Sequence, residues 1–425
     1  MKGRVHLVLR SGQLHRIWIY VVVISAIVAS ATPVSALYYT QSVIVLFLAS
    51  CVPFVNGKIS KRPKFKSRPL LITFLIILLI FTTCFLNKDT KISYYIGVSL
   101  QVISAWMIME SYSEREYINT YIKIFIIISV YSTLLTLILN VDRALLQQMP
   151  LVYPIDSKIA SWRTIYYIYN VWDIYAQFSI IRNSACFREP GVWGSFVILA
   201  ILFKISQMRE NGSFLREKSE RKKDMMELLI LVVGTITSLS TSTIVCLCLC
   251  VVIYFFNTKH TKKQLYLLGG AILAVLILLF RYQNLLFDKL NINSSSYIST
   301  LDRIQGVQKS IGCWLDSPFF GVGYTNYFAT VTEGVNTFSF LFVLGEFGII
   351  IFGIFLFMLF KAAIKRNFTG LTTVIVFIIF AFILNIQNLI FTPLILILMY
   401  YGISIYRKNK TSHAKKMVLN GGDIR

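Results

Sequence analysis

The stretch Lys58–Leu86, KISKRPKFKSRPLLITFLIILLIFTTCFL, decides the class of this protein. Six of its first 11 residues are Lys or Arg, and the 18 residues that follow carry no charge. An uncharged apolar run of about 20 residues is what an α-helix needs to cross the hydrocarbon of a bilayer. Basic residues beside such a run mark its cytoplasmic side. The stretch therefore predicts a membrane helix whose first residue lies on the cytoplasmic side.

Apolar stretches of this kind recur along all 425 residues, and the mean hydropathy is +0.68. The predicted spans are 17–36, 38–55, 70–86, 93–111, 120–140, 190–206, 225–239, 243–256, 264–280, 338–360, 370–387 and 389–405. Each is close to the length of one helical crossing. We expect an all-α fold, a polytopic transmembrane helix bundle of about 12 spans. The whole chain, 1–425, would form a single integral-membrane domain.

The positive charge orients these spans. With both termini inside, 31 of the 42 Lys and Arg residues lie in inside segments and 11 in outside segments. The opposite orientation would put the basic clusters 58–68 and 216–223 outside, against the positive-inside bias. The net charge of +23 is therefore a signal of topology. Because the basic runs adjoin span ends, we expect contact with anionic membrane lipids and no nucleic-acid partner.

The region 225–256 allows two interpretations. It could be one long helix, but the polar sequence SLSTST at 238–243 interrupts it. Two short spans keep the basic segments 216–223 and 259–263 on the same side, whereas one span would reverse the predicted orientation of every later span. We predict two spans.

Several classes of site are excluded by residue positions. All four histidines, His6, His15, His260 and His413, fall on the inside in this topology, so an outside histidine base or metal ligand is not expected. Cys246, Cys248 and Cys250 alternate around a helix and cannot converge on one metal ion. The sequence has no GxxxxGK[ST] phosphate loop, which argues against an ATP-driven transporter. We expect neither a metal nor a cofactor.

Two outside loops, 141–189 and 281–336, hold the candidate chemistry, because function in a membrane protein concentrates where polar residues meet the bundle. Each loop contains one cysteine, Cys186 and Cys313. They are either two free thiols or a bridge between the loops, and the sequence leaves both open.

The first loop ends in RNSACFREPGVWG, residues 182–194. Pro190 suits the first position of a helix, so Glu189 would cap that helix at the membrane surface. Arg182 and Arg188 flank it, and guanidinium groups suit a diphosphate because they donate bidentate hydrogen bonds. Glu189 could be held by an arginine or take a proton from a sugar hydroxyl. Equally, the motif could be only a capped helix start with a surface ion pair.

The second loop contains Arg303 and then WLDSPFFGVGY, residues 314–324. Its Gly-Val-Gly after Pro-Phe-Phe predicts a tight turn. It is not a nucleotide-binding fingerprint, because no strand precedes it. Glu346 follows in LGEFG, residues 344–348, in the outer third of a span. We expect this carboxyl group to hydrogen bond a neighbouring helix, with a catalytic role as the alternative.

These motifs, in this order and on this side of the membrane, resemble the O-antigen polymerase/ligase superfamily. The features that carry the resemblance are Arg-x5-Arg-Glu-Pro-Gly from Arg182, Ser-x-Ser-Thr-Ser from Ser238, Arg303, Trp314, Pro318-x2-Gly-Val-Gly, Asn336-Thr337 and Leu344-x-Glu-x-Gly. The resemblance covers 180–350 in detail. It implies a GT-C-like bundle in the bacterial inner membrane, with an oligosaccharide on undecaprenyl diphosphate as donor. A chain-length regulator and a flippase would be candidate partners.

The resemblance also implies roles for individual residues. Glu189 and Arg188 would be catalytic, and the substrate-binding residues would be Arg182, Arg303, Asn336 and Tyr324. The ligase branch usually has a histidine before the Leu-x-Glu-x-Gly helix, and the segment 333–339 has none. That departure favours a repeat-unit polymerase over a ligase. The Arg-x10-Gly pattern of some polymerases is also absent after Arg182 and Arg303, so neither can be assigned to donor or acceptor.

A transporter is the alternative from another class, because 12 spans with both termini inside are common among carriers. A flippase for lipid-linked oligosaccharides or a secondary carrier would fit that pattern. Two features oppose it. The two halves of the sequence show no internal repeat, and the spans hold few charged residues to line a route.

Overall fold

The computed structural model describes residues 11–59, 67–153, 161–173, 180–210, 218–257, 270, 297–330, 341–366, 370–386 and 389–404. Its helices are α1 (Ser11–Val28), α2 (Pro33–Leu37), α3 (Tyr39–Ile59), α4 (Ser67–Leu86), α5 (Ile92–Ser111), α6 (Glu114–Val141), α7 (Ala144–Gln148), α8 (Pro190–Glu210), α9 (Lys218–Ile236), α10 (Thr241–Asn257), α11 (Tyr297–Asp316), α12 (Tyr324–Thr330), α13 (Phe342–Ile364), α14 (Gly370–Ile386) and α15 (Pro393–Ile403). Three short strands, β1 (Leu151–Val152), β2 (Trp162–Ile165) and β3 (Tyr169–Trp172), lie between α7 and α8.

Six described helices, α3, α4, α5, α6, α8 and α13, are long and apolar enough to cross a membrane. Four shorter apolar helices, α1, α10, α14 and α15, accompany them. Each overlaps a predicted span, as does α9. The described part of the chain thus agrees with an all-α membrane bundle. The predicted span 264–280 lies outside the described residues except for Gly270, so the total of about 12 spans stays a prediction.

The first predicted span, 17–36, is wrong at its end, because α1 stops at Val28. Ala31 has a φ of 55°, which is not helical. The next residue, Thr32, caps α2 by accepting a hydrogen bond from the N–H of Ser35 at 3.2 Å, and Pro33 occupies the first turn. Proline suits that position because its missing N–H has no helical partner there. The break turns the Ala31 region into a loop at the end of the bundle.

The region 225–256 forms two helices, α9 and α10, with a break at 237–240, as predicted. Near the start of α9, Asp224 Oδ1 lies 2.7 Å from Nζ of Lys204 near the end of α8. At the other end of α9, the Gly234 carbonyl accepts a hydrogen bond from Trp193 Nε1 near the start of α8, at 3.1 Å. The two helices are therefore antiparallel.

Ion pairs gather at one end of the bundle. His15 Nε2 lies 3.7 Å from Glu116 Oε1, which joins the starts of α1 and α6. Lys365 and Arg366 follow α13, and each lies 2.9 Å from a carboxylate oxygen of Glu114. The Lys204–Asp224 pair lies at the same end. We call it the charged end.

The opposite end, here the loop end, carries residues 29–38, 87–91, 142–153, 161–173, 180–189 and 237–240. The residues that meet at the charged end belong to four segments, which contain His15, Glu114 and Glu116, Lys204 and Asp224, and Lys365 and Arg366. The charge count assigns all four segments to one side of the membrane. The described helices thus alternate in direction as that count requires. Which end faces the cytoplasm stays a prediction.

Helix α8 forms the centre of the bundle, since 89% of the residues in its most apolar 18-residue stretch are buried, against 33% of those in α4. On α8, Trp193 stacks on Phe125 with ring centroids 5.8 Å apart, and the Tyr121 hydroxyl donates to the Phe196 carbonyl at 2.8 Å. On α4, Phe85 is 83% exposed. Because lipid is as apolar as these side chains, close packing of the rings holds the helices together more than any hydrophobic effect.

Helix α13 overlaps the predicted span 338–360 and is long and apolar enough to cross a membrane, but its helical backbone is broken inside the span. Gly348 has φ 75° and ψ −178°, which is not helical. The turn at 318–323 lies alongside the break. Three backbone hydrogen bonds of 2.9–3.0 Å join the two segments, from Val322 N to Gly345 O, from Gly323 N to Glu346 O and from Ile349 N to Pro318 O. The carbonyls of Gly345 and Glu346 and the amide of Ile349 thus form hydrogen bonds with the turn and not with other residues of α13.

The first predicted outside loop, 141–189, contains α7 and an antiparallel sheet of order β1-β2-β3. An ion pair of 2.9 Å between Arg163 Nε and Asp173 Oδ1 ties β2 to the residue after β3. The Tyr169 hydroxyl lies 2.8 Å from Thr136 Oγ1 and fastens the sheet to α6. The sheet is therefore attached to the bundle and is not a free loop.

Candidate functional site

The segment 180–189, here the arginine segment, is clamped at the loop end by Asn183. This side chain is fully buried. Its backbone N–H donates to Thr237 O at 3.0 Å, and its Nδ2 donates to Thr237 Oγ1 at 3.0 Å and to Ser132 Oγ at 3.1 Å. Its Oδ1 accepts from the N–H of Ala185 at 3.0 Å. A buried amide with all these partners fixes the backbone of the segment against α6 and the α9–α10 turn.

The two arginines of this segment contact three different parts of the loop end. Arg182 Nε donates a hydrogen bond to the Ser238 carbonyl, in the turn after α9, at 3.2 Å. The Arg188 N–H donates to Ala31 O at 3.2 Å, and the Arg188 carbonyl accepts from Trp162 Nε1 at 3.0 Å. Both arginine side chains are half-buried. The break after α1 and the small sheet thus fix the position of the Arg188 backbone.

Glu189 lies at the start of α8, as predicted, because its carbonyl accepts the N–H of Trp193 at 3.1 Å. The positive end of the helix dipole favours a carboxylate there. Burial lowers the pKa of the Arg188 guanidinium, and the neighbouring charge of Glu189 partly offsets that effect. Negative charge stabilises a partly buried guanidinium, so an anionic ligand beside Arg188 would be favourable.

The two loop cysteines, Cys186 and Cys313, are both free thiols in this structure. Burial raises the pKa of Cys186 to about 12, so the thiol stays protonated at neutral pH. A thiol in that form is a poor nucleophile. The bridge between the loops is therefore not formed here.

A second group of polar side chains, here the tyrosine–carboxylate cluster, consists of Asp89, Tyr94, Tyr95, Tyr324 and Glu346. Asp89 is 9% exposed. Its oxygens accept hydrogen bonds from Lys91 N at 2.9 Å, Thr325 N at 2.8 Å, the Tyr95 hydroxyl at 2.8 Å and the Thr325 hydroxyl. Burial raises the pKa of Asp89, but these hydrogen bonds lower it more, so the net pKa lies below its usual value. Asp89 fastens the start of α12 to the α4–α5 loop.

Glu346 lies at the break in α13 and is fully buried. Its Oε2 accepts a hydrogen bond from the Tyr94 hydroxyl at 3.3 Å, so the expected helix–helix contact is present. Its Oε1 has no hydrogen-bond partner among the residues that the structure describes. The Tyr324 ring packs against Tyr94 with ring centroids 4.1 Å apart and an interplanar angle of 32°, which brings this predicted substrate-binding residue close to the carboxyl group.

The predicted site residues thus lie in two clusters. Arg182, Arg188 and Glu189 lie in the arginine segment, where Arg182 contacts the α9–α10 turn and Arg188 contacts Ala31 and Trp162. Tyr324 lies against Tyr94 of α5. Arg303 is in α11, but its side chain is not among those described. Asn336 lies outside the described residues.

Within the described ranges, no three His, Cys, Asp or Glu side chains are arranged to hold a metal ion. The α10 cysteines, Cys246, Cys248 and Cys250, are free, and two of them are buried. They pack against neighbouring helices like small apolar residues.

Asp89, Tyr94 and Tyr95 were not predicted from the sequence as part of a site. The available signal was weak: a carboxylate in the five-residue loop 87–91, followed by two adjacent tyrosines in the first turn of a helix. The loop is recognised as part of a site only because it packs against α12. Neither a protein-family model nor a curated protein nor a solved structure matches the chain. Any function therefore rests on the residues of the site itself.

Proposed function

We propose that this protein is a membrane glycosyltransferase that polymerises oligosaccharide repeat units carried on undecaprenyl diphosphate. Its product would be a bacterial surface polysaccharide, whether O-antigen, capsule or exopolysaccharide. The loop end would face away from the cytoplasm across the inner membrane, with both termini inside. The observation that carries this proposal is the arginine segment, which holds two arginines and a carboxyl group in eight residues, clamped at the loop end of an apolar bundle.

The arginine segment suits the chemistry of such a transfer. The oxygen of an acceptor sugar bonds to the anomeric carbon of the donor, the bond from that carbon to the diphosphate oxygen breaks, and the lipid diphosphate leaves with the electron pair. Arg182 and Arg188 would stabilise the charge that grows on the diphosphate, because guanidinium groups donate two hydrogen bonds at once. A half-buried guanidinium is more effective in this role than one in water.

Glu189 has three possible roles beside these arginines. As a base, it would take the proton of the acceptor hydroxyl. As an orienting residue, it would hold Arg182 or Arg188, and as a cap, it would only stabilise the start of α8. Glu189→Gln separates them, because Gln keeps the size but cannot take a proton. Loss of polymer supports the base, partial activity supports orientation, and full activity of both Glu189→Gln and Glu189→Asp supports the cap.

The test of the proposal is the chain-length profile of the polysaccharide in cells that carry variants of the chromosomal copy. We expect Arg182→Ala, Arg188→Ala and Arg303→Ala each to abolish long polymer at normal membrane abundance. Lys at the same positions should restore only part of it, because an ammonium group lacks the bidentate geometry. The matched control is Arg143→Ala, another half-buried arginine of the same loop, which should keep normal polymer. Normal polymer from all three Ala variants would refute the proposal.

A carrier is the second candidate, and one observation favours it. Discontinuous helices and buried carboxyl groups are common at the binding sites of secondary transporters, and α13 combines a break with the buried Glu346. Protein reconstituted in liposomes with the lipid-linked oligosaccharide distinguishes the two. A polymerase lengthens the glycan, whereas a carrier moves it across the bilayer at constant length.

A further inference from the structure

The turn that joins β2 to β3 holds two tyrosines in an unfavourable backbone conformation. A hydrogen bond of 2.9 Å from Ile168 N to Ile165 O closes the turn. Its two central residues, Tyr166 and Tyr167, have φ of 48° and 59°, which defines a type I′ turn. Such turns favour Asn and Gly, because larger side chains are strained at positive φ. Strain that is retained at a surface turn points to a use for the two aromatic rings.

The turn presents its apolar side chains outwards and does not bury them in a core. Tyr166 is 88% exposed and Ile168 is 55% exposed, while Tyr167 is half-buried. We call residues 166–168 the hairpin tip. Exposed apolar side chains that lie together mark a surface for contact with an apolar partner.

The hairpin tip lies on the face of α6 that is turned away from the bundle. The Tyr131 hydroxyl of α6 donates a hydrogen bond to the Ile168 carbonyl at 2.9 Å. One turn before and after Tyr131 on the same helix face, Ile127 is 62% exposed and Leu134 is 55% exposed. Because α6 is long and apolar enough to cross a membrane, its exposed apolar side chains face lipid. The tip therefore adjoins the lipid-facing surface of α6.

The hairpin tip also lies at the height where a neighbouring helix ends. Two residues before the end of α9, Gly234 packs on α6 so closely that a Cβ there would lie 2.7 Å from the hydroxyl oxygen of Ser129. Helix α6 continues for 10 residues beyond Tyr131, about 15 Å, to Val141, which is 90% exposed. The end of α9 places the tip near the surface of the membrane, and the exposed apolar residues of α6 extend beyond it.

The backbone polar groups of the turn have partners, as a position beside lipid requires. The Tyr167 N–H donates to Thr164 Oγ1 at 2.7 Å, the Ile168 N–H donates within the turn, and the Ile168 carbonyl accepts from Tyr131. Tyrosine suits the boundary between lipid and water, since its ring is apolar and its hydroxyl can reach water.

We infer that the hairpin tip inserts into the surface of the membrane at the loop end, where lipid acyl chains contact the rings of Tyr166 and Tyr167 and the side chain of Ile168. At the other end of β2, Trp162 Nε1 donates to the Arg188 carbonyl at 3.0 Å. The hairpin thus connects the lipid surface to the arginine segment. This attachment goes beyond the proposed function and does not depend on it.

The experiment measures the surroundings of the tip in the full chain. A nitroxide spin label is attached to Ile168→Cys in a cysteine-free background, in nanodiscs of phosphatidylethanolamine and phosphatidylglycerol. Collisions with oxygen, which concentrates in lipid, are compared with collisions with a water-soluble nickel chelate. The lipid control is Ile127→Cys on α6, and the water control is Gln148→Cys, an exposed residue of α7.

We expect the label at Ile168→Cys to lose nickel access relative to Gln148→Cys and to collide with oxygen as the label at Ile127→Cys does. Nickel access equal to that of Gln148→Cys overturns the inference. Exclusion of both reagents, which a second copy of the chain covering the tip would produce, overturns it as well. If Ile168→Cys does not fold, a label at Tyr166→Cys decides by the same criteria.

A second measurement tests whether the tyrosine rings hold the hairpin in place. The double variant Tyr166→Asn with Tyr167→Gly installs the residues that a type I′ turn prefers, so it relieves the backbone strain and keeps the turn. If the rings are anchored in lipid, amide hydrogen exchange of β2 and β3 in nanodiscs should be faster in this variant than in the wild type. Exchange that is unchanged or slower refutes the anchoring role, because relief of strain alone would stabilise the hairpin.

Discussion

Gly348→Ala should be among the most destabilising single substitutions in this protein. Gly348 has φ 75° and ψ −178°, a backbone conformation that is essentially restricted to glycine. A Cβ added there would lie 2.3 Å from the carbonyl oxygen of Phe319 and 2.4 Å from its carbon. Because these are backbone atoms, a side-chain rotation cannot relieve the contact. The turn at 318–323 would have to move away from α13.

The magnitude follows from two contributions. The backbone conformation costs an alanine about 1–3 kcal/mol. Displacing the turn weakens three backbone hydrogen bonds, each with a net contribution of about 1 kcal/mol. Together we expect a loss of about 3–5 kcal/mol, a large part of the about 5–15 kcal/mol that folded domains possess.

The assay is unfolding of the purified protein in mixed micelles of a mild detergent and dodecyl sulfate. The matched control is Gly353→Ala in the same helix, where a Cβ would meet nothing within 4 Å. That change should be neutral or stabilising by up to about 1 kcal/mol, because alanine favours helix more than glycine does. If the two variants unfold at the same detergent fraction, the break in α13 is not a fixed feature and the reasoning fails.

Two further predictions concern the loop end. Asp89→Asn should destabilise the protein by about 2 kcal/mol at pH 7, since Asn cannot accept all the hydrogen bonds that the carboxylate does. The folded pKa of Asp89 is lowered, so its contribution is present above the unfolded pKa and is lost as the pH falls through the folded pKa; the wild type and Asp89→Asn should converge under acid unfolding, and a gap that persists there contradicts the assignment. For topology, single cysteines at Ser157 and Ser295 in a cysteine-free background should react with an impermeant thiol reagent in intact cells, and one at Ser213 only after lysis. All three positions lie outside the described residues, and labelling of Ser213 in intact cells would invert the map.

Much of the fold follows from local properties of the sequence. Helix positions were predicted well because a run of apolar residues of membrane length has few alternatives to a helix: its backbone polar groups must be satisfied internally. The hairpin of α9 and α10 was predicted from a short polar interruption and the charges beside it. The start of α8 at Pro190 followed from the chemistry of helix N-termini.

The candidate site was predicted in part. The arginine segment was found because Arg182, Arg188 and Glu189 are neighbours in sequence and adjoin a helix start. Asp89 was missed, because its partner Thr325 lies 236 residues further along the chain. No local pattern reports a contact of that kind.

The sequence by itself determined an all-α membrane bundle and the alternating direction of its helices, because hydrophobic length and charge act locally. Only the tertiary structure decided that α1 stops before Ala31, that α13 breaks at Gly348 and that Glu346 meets Tyr94 and Tyr324. Each of these depends on which backbone groups of distant segments satisfy one another. A helix in an apolar medium yields a hydrogen bond only when another segment replaces it, and the packing of the whole bundle determines where that happens.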